Sequence, residues 1–322
     1  MRGRDIISVR DLSDAELRLI LDTASRMEAD GGRDLCEGNI LATLFYEAST
    51  RTRLSFESAM HRLGGSVIGF ADPETSSYKK GEVLADTARV VENYCDVIVM
   101  RHPLDGAAKV VADYAGVPFI NAGDGGHFHP TQTLTDLYTL QKEKGRIQGL
   151  VVGLCGDLKY GRTVHSLAPA LTRLGAKMYC IAPDSLKMPD AHLVEPREAG
   201  ALLGETSDLG AVLPELDVLY VTRVQQERFD SVEEYEKVKG VYVVTPALLA
   251  QAKPDMLVMH PLPRVDEIAQ DVDSDPRAAY FRQAANGVAV RMALIALLLG
   301  AVEAEVGSAE KPRIPRYRRE AA

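Results

Sequence analysis

Apolar positions along this chain fall into two alternating series. An opening helix is marked by Ser13 and Glu16, spaced as a capping box, followed by Leu17, Ile20, Leu21 and Ala24 at helical intervals. Apolar runs of strand length then occur at 40–46, 66–70, 96–100 and 117–121, each followed by an amphipathic stretch. Runs that are apolar throughout, rather than at every second position, belong to strands covered on both faces of a parallel sheet. A helix with Leu134, Leu137, Tyr138 and Leu140 on one side runs to Lys144 and stops at Gly145. A second series follows, with strands predicted at 150–154, 177–181, 218–222, 241–244 and 256–259. The pattern predicts an α/β chain: two doubly wound domains, each with a mostly parallel sheet, linked by interdomain helices, with the boundary near 130–150. The last helix, about 280–303, is too apolar for the surface and is expected to pack back on the first domain. The tail beyond it mixes prolines with charges and is expected to be loosely ordered.

Composition narrows the function classes. Of 322 residues, 46% are hydrophobic and 26% charged, which is ordinary for a globular protein of two domains. Lysine plus arginine total 37 against 46 acidic residues, a formal charge of −9. A nucleic-acid or anionic-membrane surface is therefore disfavoured as the overall role, and any anion site must be local. Cys36, Cys95, Cys155 and Cys180 stand far apart with no CxxC pair, so no zinc or redox motif is expected and a reduced, cytosolic chain fits. The start lacks an apolar signal core, and the longest apolar run, 292–302 apart from Gly300, is short of the roughly 20 residues a spanning helix needs. Neither export nor membrane anchoring is expected.

The richest chemistry lies in FYEASTRTRLSFE. Ser49, Thr50, Arg51, Thr52 and Arg53 follow a buried strand and open a helix that continues through Phe56, Met60 and Leu63. Unsatisfied N–H groups and the helix dipole favour an anion at such a mouth, and hydroxyls and guanidiniums add directed donors. For a single Ser/Thr–Arg pair, a capped helix with solvated arginines is the commoner explanation. Five consecutive donor residues favour a phosphate cradle. Ser76 and Lys80 lie in a polar loop, TSSYKKGE, that alone reads as a solvated turn. Arg101 ends a strand, at the carboxyl edge where open α/β sheets bind ligands. His129 and Gln132 flank a helix that Pro130 starts after NAGDGG. A neutral imidazole there can polarise a carbonyl, or else it satisfies local backbone. Arg162 opens a helix after GDLKYG, Arg223 and Gln225 follow another strand, and Leu262 and Pro263 lie in a proline-pinned loop. Gly153, Gly156 and Gly161 do not have GxGxxG spacing, which argues against NAD.

In this order STRTR with SFE, KKGE, MRHP, HPTQTLTDLYT, GDLKYGRTVHSL, TRVQQERF, HPLPRVDEI and YFRQAANGVAVRMALI resemble the transcarbamylase family over roughly residues 6–300. The resemblance implies a carbamoyl phosphate-binding domain at 1–130, completed by the C-terminal helix at about 280–304, and an aspartate-binding domain at 131–279. It leaves 305–322 as a tail. Ser49, Thr50, Arg51, Thr52, Ser76 and Lys80 are implied to hold the phosphate. Arg101, His129 and Thr52 would contact the carbamoyl oxygen, and Gln132 the carbamoyl amide. Lys80, Arg162, Arg223 and Gln225 are implied to bind aspartate, with the Leu262 and Pro263 carbonyls steering amines. Arg51, Thr52, Lys80, Arg101 and His129 form the implied catalytic set.

The implied reaction moves a carbamoyl group from carbamoyl phosphate to L-aspartate, in the second step of de novo pyrimidine biosynthesis. No metal and no cofactor is implied, since the phosphate leaving group is already good. An ornithine-specific relative needs a seat for a second ammonium, with HCLP and DxWxSMG segments. This chain has HPLPR, no tryptophan, and two arginines suited to a dicarboxylate. The resemblance further implies a cytoplasmic homotrimer with sites between subunits, the Lys80 loop reaching into a neighbour. It leaves room for separate regulatory chains.

Overall fold

The structure, a computed structural model, describes residues 1–225, 229 and 231–302; the expected tail at 305–322 and the last residues of the expected C-terminal helix lie outside the described residues. Its contacts divide the chain into two compact units, 1–134 with 287 onward, and 135–286.

The first unit opens with α1 (Asp14–Asp30), whose capping box forms as the spacing predicts, the Glu16 carboxylate accepting the Ser13 N–H at 2.8 Å. Four strands follow: β1 (Ile40–Phe45), β2 (Ser66–Phe70), β3 (Val97–His102) and β4 (Phe119–Asp124). They form one parallel sheet in the order β2-β1-β3-β4. Between them run α2 (Thr50–Arg62), α3 (Leu84–Val91) and α4 (Ala107–Tyr114). Phe56 and Met60 of α2 are fully buried, a contribution of about 1.5–3 kcal/mol each. That burial fixes the helix by its interior turns and leaves its first turn, at Thr50, for chemistry.

The chain passes to the second unit within α5 (Pro130–Lys144), which ends before Gly145 at φ +70°, and returns within α11 (Tyr280–Leu299). The strands of the second unit are β5 (Val151–Cys155), β6 (Lys177–Ile181), β7 (Leu202–Thr206), β8 (Val218–Val221) and β9 (Leu257–Met259). All pair in parallel, in the order β7-β6-β5-β8-β9. Its helices are α6 (Arg162–Arg173) and the short α7 (Val194–Glu198), α8 (Leu209–Val212), α9 (Val232–Glu236) and α10 (Pro246–Leu249). By length and composition α11 could cross a membrane, but Val290 and Ala293 to Leu298 are buried within the protein, which accounts for its apolarity.

The expected strand at 241–244 is not one. Val241 and Val243 are exposed, and the segment makes a single parallel bridge, Val244 to Ile268. Three valines at a surface turn, two exposed and one buried, imitate a strand that has no neighbour to pair with along its length. The fifth strand is instead β7, a half-exposed edge whose LLGET sequence lacks a continuous apolar run. The four cysteines are buried and unpaired, and burial raises the Cys36 thiol to about 11.

Candidate active site

Strand order explains how distant segments reach one edge of the first sheet. In a parallel sheet every strand delivers its following loop to the same side, and the crevice opens where the winding direction reverses. Reversal here falls between β1 and β3, neighbours in register with Phe45 opposite Arg101. Ser49 to Thr52 follow β1, Arg101 lies in β3, Ser76 and Lys80 follow β2, and His129 and Gln132 follow β4. The edge therefore carries the nine residues that the resemblance assigned in this half, while Arg53, the fifth of the consecutive donors, pairs with Glu57 at 3.6 Å.

Electrostatics at that edge favour an anion. Ser49 occupies the N-cap of α2, yet its hydroxyl makes no capping bond, so it remains available beside the first-turn N–H groups. Thr52 is buried. Burial, with the like charge of Arg101, pulls the Arg51 guanidinium below the ordinary arginine range. A guanidinium that feels the like charge of a second one suits a bound anion. Arg101 is itself oriented by Glu47, Nε to Oε2 at 3.0 Å.

The loop beyond β2 makes two tight turns, Pro73–Thr75 and Ser77–Lys80. The Ser76 hydroxyl donates to the Pro73 carbonyl at 2.8 Å, and the Tyr78 ring sits edge-on to Tyr46, 5.1 Å between centroids. Lys79 pairs with Glu74 at 3.0 Å, whereas among the described residues Lys80 has no acidic partner and is exposed. His129 is buried just before α5, and the Gln132 N–H donates to its carbonyl at 3.0 Å.

The second sheet has its own reversal, between β5 and β8. Arg162 begins α6 after β5, Arg223 and Gln225 follow β8, and Leu262 and Pro263 follow β9. Asp157 ties the first two exits together. Its carboxylate accepts the Tyr160 N–H at 2.9 Å and the Gln225 N–H at 3.3 Å, while the Gln225 side chain donates to the Tyr160 carbonyl at 3.1 Å. Burial raises the Asp157 carboxyl above its usual range, the N–H donors opposing this in part. Gly156 makes the approach possible: at φ +115°, a Cβ there would stand 2.3 Å from the Thr222 carbonyl oxygen. Beyond β9, Leu262 has φ +57° and the Leu262–Pro263 bond is cis, an isomer that proline spacing alone left undecided.

Sequence reasoning missed Glu47, the positioning role of Asp157, and the buried pair His260 and Glu267, joined at 2.7 Å. Each lies beside a recognised motif, but none has a spacing signal, because its partner is chosen by packing. Among the described residues no group of three or more His, Cys, Asp or Glu side chains could hold a metal.

Residues 4–142 match the family model described as aspartate/ornithine carbamoyltransferase, carbamoyl-P binding domain, and residues 148–298 match the corresponding Asp/Orn binding domain. The aspartate carbamoyltransferase catalytic subunit of Thermococcus kodakarensis is 58% identical over 93% of this chain and 98% of its own length. That of Methanopyrus kandleri is 59% identical over 92% of this chain and 98% of its own. Among solved structures, the catalytic subunit of M. jannaschii aspartate transcarbamoylase superposes with a TM-score of 0.86 at 48% identity, covering 92% of this chain and 98% of that one. The Trypanosoma cruzi enzyme in complex with carbamoyl aspartate and phosphate gives 0.87 at 42% identity, covering 92% and 97%.

Proposed function

The chain belongs to the aspartate/ornithine carbamoyltransferase family, and from that premise we propose that it transfers the carbamoyl group of carbamoyl phosphate to the amine of L-aspartate. The products are N-carbamoyl-L-aspartate and phosphate, in the second step of de novo pyrimidine biosynthesis. One observation carries the reading: the donor segments follow neighbouring strands at the reversal point of each sheet, phosphate-type donors on the first and carboxylate-type arginines on the second.

In the mechanism we assign, Ser49, Thr50, Arg51, Thr52, Ser76 and Lys80 bind the phosphate. Thr52, Arg101 and His129 donate to the carbamoyl oxygen, and Gln132 to the carbamoyl amide. Lys80, Arg162, Arg223 and Gln225 hold the aspartate, and the carbonyls of Leu262 and Pro263 accept from the amines. The amine nitrogen attacks the carbamoyl carbon and the oxygen takes up negative charge. Collapse of that intermediate breaks the carbon–oxygen bond to phosphate, which leaves with the electron pair and accepts a proton from the amine. Juxtaposing two reactants contributes on the order of 7–11 kcal/mol, and each oxyanion donor about 2.7–4 kcal/mol. The arginine-bearing edges of the two sheets are suited to supply both.

We propose a cytoplasmic homotrimer in which Lys80 serves a neighbour's site; its exposure, and the lack of an acidic partner for it among the described residues, support this. Relatives named as catalytic subunits support association with a separate regulatory chain. The test is an assay of the purified chain with carbamoyl phosphate against aspartate and ornithine. Carbamoyl aspartate is expected; citrulline instead, or phosphate binding without turnover, would overturn the reading.

A further inference from the structure

The loop that follows β9 is exposed in its middle and anchored at both ends by one buried side-chain pair. His260 is 1% exposed and Glu267 5%, whereas Pro263 and Val265 between them are exposed. His260 Nδ1 accepts the Leu262 N–H at 2.8 Å, so the lone pair is on Nδ1 and the proton on Nε2. That proton is donated to Glu267 Oε1 at 2.7 Å. The other oxygen, Oε2, accepts the N–H groups of Val265 and Asp266, both at 3.1 Å. One carboxylate thus holds the loop's far end directly and its near end through the imidazole. Both anchors are tied to segments outside the loop. The Val244 N–H donates to the Glu267 carbonyl at 2.9 Å, and the His260 N–H donates to Gln283 Oε1 at 2.9 Å. Gln283 continues to Asp136 at 2.7 Å, which accepts the Tyr220 hydroxyl of β8 at 2.8 Å.

We infer that Glu267 is a positioning residue which, acting through His260, sets the direction of the Leu262 and Pro263 carbonyls toward the amine-bearing substrate. The inference rests on the function proposed above. A merely cohesive role would not require this arrangement, since apolar residues of the same volume would hold the loop without burying a charge. The relay is sensitive to a single atom. In Glu267→Gln, the amide oxygen can keep the backbone N–H groups only by turning its NH2 toward the Nε2 proton. Tautomer exchange would relieve that conflict but set Nδ1–H against the Leu262 N–H. One link must fail, and the carbonyls shift.

The experiment is steady-state kinetics on the full chain and on folded Glu267→Gln. The expected result is a rise in aspartate KM on the order of 10- to 100-fold with the carbamoyl phosphate KM unchanged, since a shift of about 1 Å can cost 10²-fold. His260→Gln, which keeps a donor for Glu267 but loses the Leu262 acceptor, is expected to show the same split. A folded variant with parental aspartate KM would overturn the inference, as would equal changes for both substrates. Failure of both variants to fold would assign the pair to stability alone and also overturn it. If the unmodified chain forms no carbamoyl aspartate, the function itself fails; if it does and the variants match it, only the positioning role fails.

Discussion

The two sheet edges solve different recognition problems with the same topology. On the first, some of the proposed binding groups are left uncommitted: Ser49 does not cap its helix, Lys80 has no acidic partner among the described residues, and Arg51 is perturbed by burial and the like charge of Arg101, though Arg101 itself is held by Glu47. On the second, the groups are tied in advance, Gln225 to Tyr160 and Asp157, and Leu262 to His260. A phosphate offers oxygens in every direction and is captured by accumulated charge and donors. An amino acid must present one nitrogen along one trajectory, so its edge needs fixed geometry. On the function proposed above, affinity would come from potential in the first case and from preorganisation in the second.

The contrast breaks most visibly at Arg51. Arg51→Ala is expected to lower kcat on the order of 10²–10³-fold by removing a charge-assisted donor, and near-parental turnover would contradict the cradle. A subtler break uses subunit exchange. Lys80→Ala and Arg51→Ala chains, each inactive, are expected on mixing to regain about one quarter of parental activity if trimers assort randomly and sites are shared. No recovery after verified exchange would exclude sharing.

The tied edge is sharpened by pH. The folded-state pKa of Asp157 is raised by burial, so the folded chain binds more protons than the unfolded one across that interval. Parental stability therefore falls as pH rises from the unfolded value near 3.8 through the raised folded value. Denaturant melts of Asp157→Asn should lack that slope, and identical slopes would dismiss the assignment. The smallest effect is expected at Lys79, already paired with Glu74 on the surface. Lys79→Ala should leave activity within about twofold and stability within about 1 kcal/mol, in contrast to Lys80→Ala one residue away. Equal losses at the two lysines would blur the distinction drawn here.

How much was legible in the chain follows from where each signal resides. Strands buried along most of their length announce themselves as apolar runs, which is why 40–46, 150–154 and 218–222 were readable within a residue or so. Helix starts at Ser13, Thr50, Pro130 and Arg162 were readable because capping, dipole and proline effects are local. The edge strand β7 was not, since half of it faces solvent, and the valines at 241–244 misled because burial, not composition, makes a strand. Of the nine donor residues of the first edge, the run Ser49 to Thr52 could be nominated from residue type and position, whereas Ser76 and Lys80, in a loop that alone reads as a solvated turn, were assigned by the resemblance. Strand order, which makes those donors neighbours, is written in no single segment. The links from Glu47 to Arg101 and from Asp157 to Gln225 cross 54 and 68 residues, and Glu267 reaches Leu262 only through an imidazole. Local sequence determines what each element is; only packing of the whole decides which carboxylate meets which donor, because that pairing energy exists only once the strands lie side by side.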